Sequence, residues 1–153
     1  MSGKKPQNAF VDANIIVCGL LYEGNESTLL ELGRVGAIKL IANNYVLTEV
    51  RVVLRRAEFA LDDEEYTGLM RYLHECLIVV EDPCNDEILS HINLLMDKKD
   101  IPVALGAKKS GVNYLVTGDK ELLEKMKPLS ITTSGLLKVL LSSLEQDMCT
   151  RDA

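Results

Sequence analysis

Four acids have types and placements that could do chemistry: Asp12, Glu49, Asp100 and Asp119. Asp12 stops the apolar run AFV within NAFVDAN, and the chain then resumes as IIVCGLL; Asp119 follows VNYLVT through a glycine. Asp100 opens the segment IPVALGA, and Glu49 lies between Val46 and Val53 on the edge of an apolar helical stripe. An apolar run that ends in a carboxylate and gives way to a helix is the pattern of a parallel strand reaching the ligand-binding rim of an α/β sheet. If the strands ending in Asp12 and Asp119 are neighbours, those two acids share one rim. The helices bearing Asp100 and Glu49 can reach the same edge.

Carboxylates held that close repel one another unless protons or cations neutralise them. Mg²⁺ or Mn²⁺ answers that need, because a hard ion held by a few carboxylates keeps waters that can become a nucleophile at a phosphodiester. Each acid also has an ordinary structural use. Asp12, Asp100 and Asp119 could be helix N-caps, and Glu49 could pair with Arg55 or Arg56 on its own helix. Four such coincidences on one rim are harder to accept than one. Asp97, a helical turn before Asp100, could join them, but in the run DKKD it reads first as a solvent-exposed acid. His74 and His91 fall in helices away from the rim. No GxxxxGK[ST] phosphate loop and no nucleophile-elbow Ser or Cys is present.

The elements that must position these residues alternate along the chain. Strands are expected over Ala9–Val11, Ile38–Ala42, Leu77–Val80, Val112–Thr117 and Ile131–Thr133. Helices are expected over Ala13–Leu21, Thr28–Val35, Asn43 or Asn44 to Phe59, Asp62–Cys76, Asn85–Met96, a stretch within Asp97–Ser110, Lys120–Lys125 and Gly135–Gln146. Leu77–Val80 reads as a buried parallel strand. The alternation predicts a single α/β domain over residues 1–146, a parallel sheet of about five strands with helices on both faces, and a frayed tail over 147–153.

At 153 residues and 47% hydrophobic content, the chain can bury one sizeable core. No apolar stretch approaches about 18 residues, so the chain reads as soluble, cytoplasmic and not membrane-bound. The four cysteines form no CxxC pair and read as reduced thiols, Cys18 and Cys76 in core settings. A net charge of −6 argues against gripping nucleic acid by bulk positive charge, although a dense acidic site would itself produce such a total. Basic residues cluster locally at Arg51, Arg55 and Arg56, at Lys98 and Lys99, and around Lys120. Of these, Arg51, Arg55 and Lys120 are the candidates for contacts to backbone phosphates.

The segments FVDANIIVCGLL, LTEV and KDIPVALGAKKSGVNYLVTGDKELL resemble the PIN domain family, and within it the VapC-like toxin ribonucleases of toxin–antitoxin systems. The resemblance runs from about Ala9 to Leu141 and is most specific from Asp97 to Leu123. It implies a parallel α/β fold and cleavage of RNA with Mg²⁺ or Mn²⁺ bound by acids that fall here on Asp12, Glu49, Asp100 and Asp119. Asn14 and Thr117 match supporting polar positions. The resemblance further implies a 5′-phosphate and a 3′-hydroxyl product, a homodimer and, from the toxin-like subfamily, an antitoxin partner. Two rivals stand beside a type II toxin endoribonuclease. One is a receiver-like phosphoacceptor, disfavoured because no lysine closes the last strand; the other is a non-catalytic module that binds RNA or an adaptor.

Overall fold

The computed structural model describes the backbone of residues 7–151 and the side chains of residues 7–143. Five short strands, β1 (Asn8–Val11), β2 (Lys39–Asn43), β3 (Leu77–Val80), β4 (Tyr114–Val116) and β5 (Ser130–Ile131), form one parallel sheet in the order β3-β2-β1-β4-β5. Parallel pairing demands crossovers. These are supplied by α1 (Ala13–Leu21), α2 (Asn25–Arg34), α3 (Asn44–Leu54), α4 (Asp63–Cys76), α5 (Asn85–Ser90), α6 (Ile101–Lys109) and α7 (Lys120–Lys125), with α8 (Thr133–Arg151) closing the fold. The expected parallel α/β architecture is the one observed.

The strand order carries the functional consequence. From β1 the chain winds outward through β2 to β3, then returns to the other side of β1 to add β4 and β5. Winding therefore reverses between β1 and β4, the switch point where open parallel sheets leave a crevice beyond their carboxyl ends. Register sharpens this: Phe10 is opposite Leu115 and Val11 opposite Val116, so the next residues, Asp12 and Thr117, emerge side by side. Phe10, Val11, Leu115 and Val116 are fully buried beneath them and give the rim a rigid floor.

Helix α6 runs through this interior, with every residue from Ile101 to Ala107 buried. Pro102 near its start lacks an N–H that would have no intrahelical partner there. Fully buried Asn43 ties α6 to the helix that carries Glu49. Its side-chain oxygen accepts from the Val46 amide at 3.1 Å and caps α3, while its Nδ2 donates to the Pro102 carbonyl at 3.2 Å. Gly106 makes room: a Cβ there would lie 2.7 Å from Asn43 Nδ2 and 2.9 Å from Phe10 Cζ.

Several boundaries differ from the sequence expectation. α3 ends at Leu54, capped by Arg55, and a separate 3-10 turn covers Ala57–Phe59, so the single helix expected to Phe59 is broken. α5 stops at Ser90, not Met96, with Leu89 exposed within it; beyond it the chain turns, burying Leu95 but leaving Met96 exposed. β5 ends at Ile131, and α8 begins at Thr133 and runs past Gln146 to Arg151. The frayed tail was expected over 147–153, of which residues 152–153 lie outside the described residues. β3 is not a buried strand but an edge strand, with Ile78 and Val79 48% and 40% exposed. Cys76 is buried, whereas Cys18 is exposed because it shares the outer face of α1 with Asn14, one turn earlier.

Candidate active site

Asp12 is buried just past β1, and both its oxygens are engaged. Oδ1 accepts from the Ala13 amide at 2.7 Å, and Oδ2 accepts from the Thr117 hydroxyl at 2.8 Å. The capping role is thus real, and the second oxygen is bonded across the switch point to the residue that follows β4. Burial raises the Asp12 pKa above the usual carboxylate value, the Thr117 and Ala13 hydrogen bonds oppose that, and the negative charge of Asp119 adds to it. Thr117, with no exposed surface, also accepts the Asp119 amide on Oγ1 at 3.1 Å. One hydroxyl therefore fixes the separation of the Asp12 side chain and the Asp119 backbone.

Asp119 caps α7 through its Oδ1, which accepts from the Leu122 amide at 3.0 Å. Asp100 differs from both. It precedes α6 yet makes no capping hydrogen bond, and its pKa is pushed up to about 7. Burial is the main cause, followed by the charges of Asp12, Asp97, Asp119 and Glu49. Glu49 on α3 is likewise raised, first by desolvation and then by Asp12; Lys99 and Arg56 partly offset this, and Asp97 adds to it. Among the described residues Glu49 forms no ion pair with Arg55 or Arg56. The four acids chosen from the sequence, and Asp97 with them, lie near enough for their charges to raise one another's pKa values: Asp119 acts on Asp12, Asp12 and Asp97 act on Glu49, and all four others act on Asp100.

The loop that carries Asp97 and Asp100 is anchored by groups that sequence reasoning missed. Glu121, on α7 two residues after Asp119, accepts the Met96 amide at 2.7 Å and the Asp97 amide at 3.2 Å. These backbone bonds depress its pKa, the Met96 amide most. Lys98 donates to the carbonyls of Ile92 and Leu95 and closes the turn after α5. The Asp97 side chain accepts the Lys99 amide at 3.0 Å. In GDKELL, Glu121 reads as an ordinary first-turn helix acid, and nothing local signals that a distant loop hangs from it.

The basic residues need correction. Arg55 is not on the rim: its guanidinium pairs with Asp63 at 2.7 Å and lies over the Tyr66 ring, 3.8 Å from the centroid. Arg51 stands roughly 200° around α3 from Glu49 and so faces away from the site. Lys120 opens α7 beside Asp119 and is exposed. The cations that sense Glu49 are Arg56 and Lys99. Asn14, on the first turn of α1, is exposed and makes no side-chain hydrogen bond among the described residues. His74 and His91 are exposed and outside the cluster; His91 follows α5 and is not within a helix.

The donor set suits a hard divalent cation, since every candidate ligand is a carboxylate oxygen. Among the described residues, no three His, Cys, Asp or Glu side chains converge closely enough to enclose an ion alone. Mg²⁺ does not require such a cage, because it commonly keeps several waters and uses one or two carboxylates with substrate phosphates. Asp100, with its raised pKa and no cation bonded to it among the described residues, is suited to be one of those carboxylates.

A family model described as PIN domain matches residues 8–121. Among curated proteins, none is similar enough to count as a relative. The chain is similar to the crystal structure of PAE2754 from Pyrobaculum aerophilum, with 24% identity over 89% of this chain and 90% of the other and a TM-score of 0.66. It is also similar to VapBC2 from Rickettsia felis, solved bound to a DNA fragment from its promoter, with 17% identity over 82% of this chain and 97% of the other and a TM-score of 0.58. At these identities the two structures speak to the fold.

Proposed function

This chain belongs to the PIN domain family, and from that premise we propose that it is a divalent-metal-dependent endoribonuclease. The observation that carries the reading is Asp100, half-buried near four other acids and pushed up to about 7, with no basic side chain among the described residues bonded to it. A rim built this way gains stability from a bound cation. Asp12, Asp100 and Asp119 would hold Mg²⁺ or Mn²⁺ directly or through water. When bound, such an ion supplies charge neutralisation at the phosphate and lowers the pKa of water. Thr117 holds Asp12 in place, and Glu49, on the open side of the rim, orients the attacking water. In-line attack on phosphorus breaks the bond to the 3′ oxygen, giving a 5′-phosphate on one product and a 3′-hydroxyl on the other.

The reading extends to partners. We propose the toxin component of a type II toxin–antitoxin pair, acting in the cytoplasm as a homodimer and restrained by an antitoxin protein. Similarity of fold to VapBC2 supports this. No helix among the described residues is long and apolar enough to cross a membrane.

The test is cleavage of a mixed single-stranded RNA panel with Mg²⁺ or Mn²⁺, with EDTA and Asp100→Asn as controls. Cutting that requires both metal and Asp100 is the expected result. Folded protein that binds Mn²⁺ and RNA but cuts no member of the panel would instead support the non-catalytic RNA-binding reading.

A further inference from the structure

An open groove of about 690 Å³ runs beside the acidic rim, walled by α3 on one side and by Lys98, Lys99 and the first turn of α6 on the other. Tyr45, Glu49 and Val52 follow one another at steps of four and three residues along α3, so they form a single stripe on the groove wall, and Arg56, just past the end of α3, lines the groove beyond it. From Tyr45 to Val52 the stripe spans about 10 Å along the helix axis. Tyr45 is 43% exposed at one end of the groove wall, and exposed Arg56 stands at the other, with Glu49 between them. Lys99 faces this stripe across the groove, and neither it nor Arg56 is in an ion pair among the described residues. Lys98 is committed to the Ile92 and Leu95 carbonyls and is not available in the same way.

We propose that this groove is a subsite for single-stranded RNA, in which an unpaired base stacks on Tyr45 while Arg56 and Lys99 hold backbone phosphates on either side of Glu49. The inference rests on reading the rim as the phosphodiester-cleaving centre. Charge complementarity selects the occupant: in a chain of net charge −6, Arg56 and Lys99 flank the one acid that the groove and the rim share, while the groove's other acid, Asp82, accepts the Tyr45 amide at 3.2 Å. An aromatic face serves any base without reading its edge, so the subsite prefers strand type over sequence. Base-paired RNA keeps its bases stacked on one another and cannot offer one to Tyr45.

The test is equilibrium binding of a fluorescein-labelled single-stranded RNA 12-mer, and of the same strand in a duplex, to the full chain with Ca²⁺. Cleavage of the 12-mer with Mg²⁺ or Mn²⁺ is measured alongside. Tyr45→Ala should weaken single-strand binding about tenfold or more, Tyr45→Phe should restore it, and duplex binding should change by less than about twofold. Arg56→Ala and Lys99→Ala should each lower the salt dependence of binding by a slope of about 0.7. Unchanged melting temperatures verify folding in all four variants. If wild type and variants bind and cut the 12-mer alike, the groove proposal fails alone, RNA enters elsewhere and the groove is left for a polypeptide. If wild type neither binds nor cuts RNA, the groove proposal and the ribonuclease reading fall together.

Discussion

Two regions of this small domain hold carboxylates under opposite conditions. Between α2 and α4, Glu31 accepts from the Tyr72 hydroxyl at 2.6 Å and from the Arg34 guanidinium, and these partners pull its pKa down to about 2. At the switch point between β1 and β4, Asp100 has neither a basic side chain nor a hydroxyl bonded to it among the described residues, and it is pushed up to about 7. The first carboxylate is satisfied from within and ties two helices together. The second is left to be satisfied from outside. A carboxylate with internal partners is evidence about folding, whereas one crowded by like charges is evidence about a ligand.

The widest separation between the two regions is expected in catalysis. Asp12→Asn should reduce metal-dependent RNA cleavage by about a thousandfold or more, in initial rates under saturating Mn²⁺. Glu31→Gln should leave those rates within about twofold while lowering the melting temperature. Loss of cleavage in Glu31→Gln protein that is still folded would erase the distinction. Next in size is Thr117→Val, which keeps the shape but removes both the bond to Asp12 and the acceptor for the Asp119 amide. It should cost about ten- to a hundredfold in activity or Mn²⁺ affinity, read by single-turnover kinetics and metal titration.

Stability should separate the regions in sign. The Asp100 pKa is raised, so its contribution to stability is fully present below its unfolded value of 3.8 and is lost as pH rises through about 7. Asp12 and Glu49 shift in the same direction. The Glu31 pKa is lowered, so its contribution is present above 4.5 and lost only as pH falls toward about 2. In EDTA the melting temperature should therefore rise by a few degrees between pH 8 and pH 6, with the acidic rim and not Glu31 responsible. Asp100→Asn should be more stable than wild type at pH 8 and should flatten the slope, as should saturating Mn²⁺. The smallest effect is assigned to Glu121→Gln, which weakens the anchor on the Met96 and Asp97 amides; a two- to fivefold fall in kcat, with RNA affinity retained, is the expected outcome.

Much of the rim was legible because strand ends and buried apolar runs are local signals. Asp12 and Asp119 each close an apolar run, and Asp100 stands just before a wholly apolar helix, so their neighbourhood followed once the strands were taken as parallel. The basic residues were not legible, because a helix end decides them. α3 stops at Leu54, Arg55 turns toward Asp63 and Tyr66, and the next residue, Arg56, faces Glu49. The turn after α5 was hidden for a different reason. Ile88, Leu89, Ile92, Leu95 and Met96 carry helical spacing, but Lys98 and Glu121 hold the backbone in a loop that delivers Asp97 and Asp100 to the rim. Such long-range anchoring leaves no periodic trace in the sequence.

The contact between Gly106 and Asn43 makes positions far apart in the chain heritable as a pair. A methyl group at 106 would meet the Asn43 amide and the Phe10 ring, so Gly106→Ala alone should be destabilising by about 1–3 kcal/mol. In an Asn43→Ser background, where a shorter side chain can still cap α3, the same methyl group has room on the amide side and should cost less. A double-mutant cycle in urea would read that coupling directly. Relatives that replace the glycine should then carry a smaller cap at the end of β2, and the helix bearing the rim glutamate would diverge only in step with the helix behind Asp100.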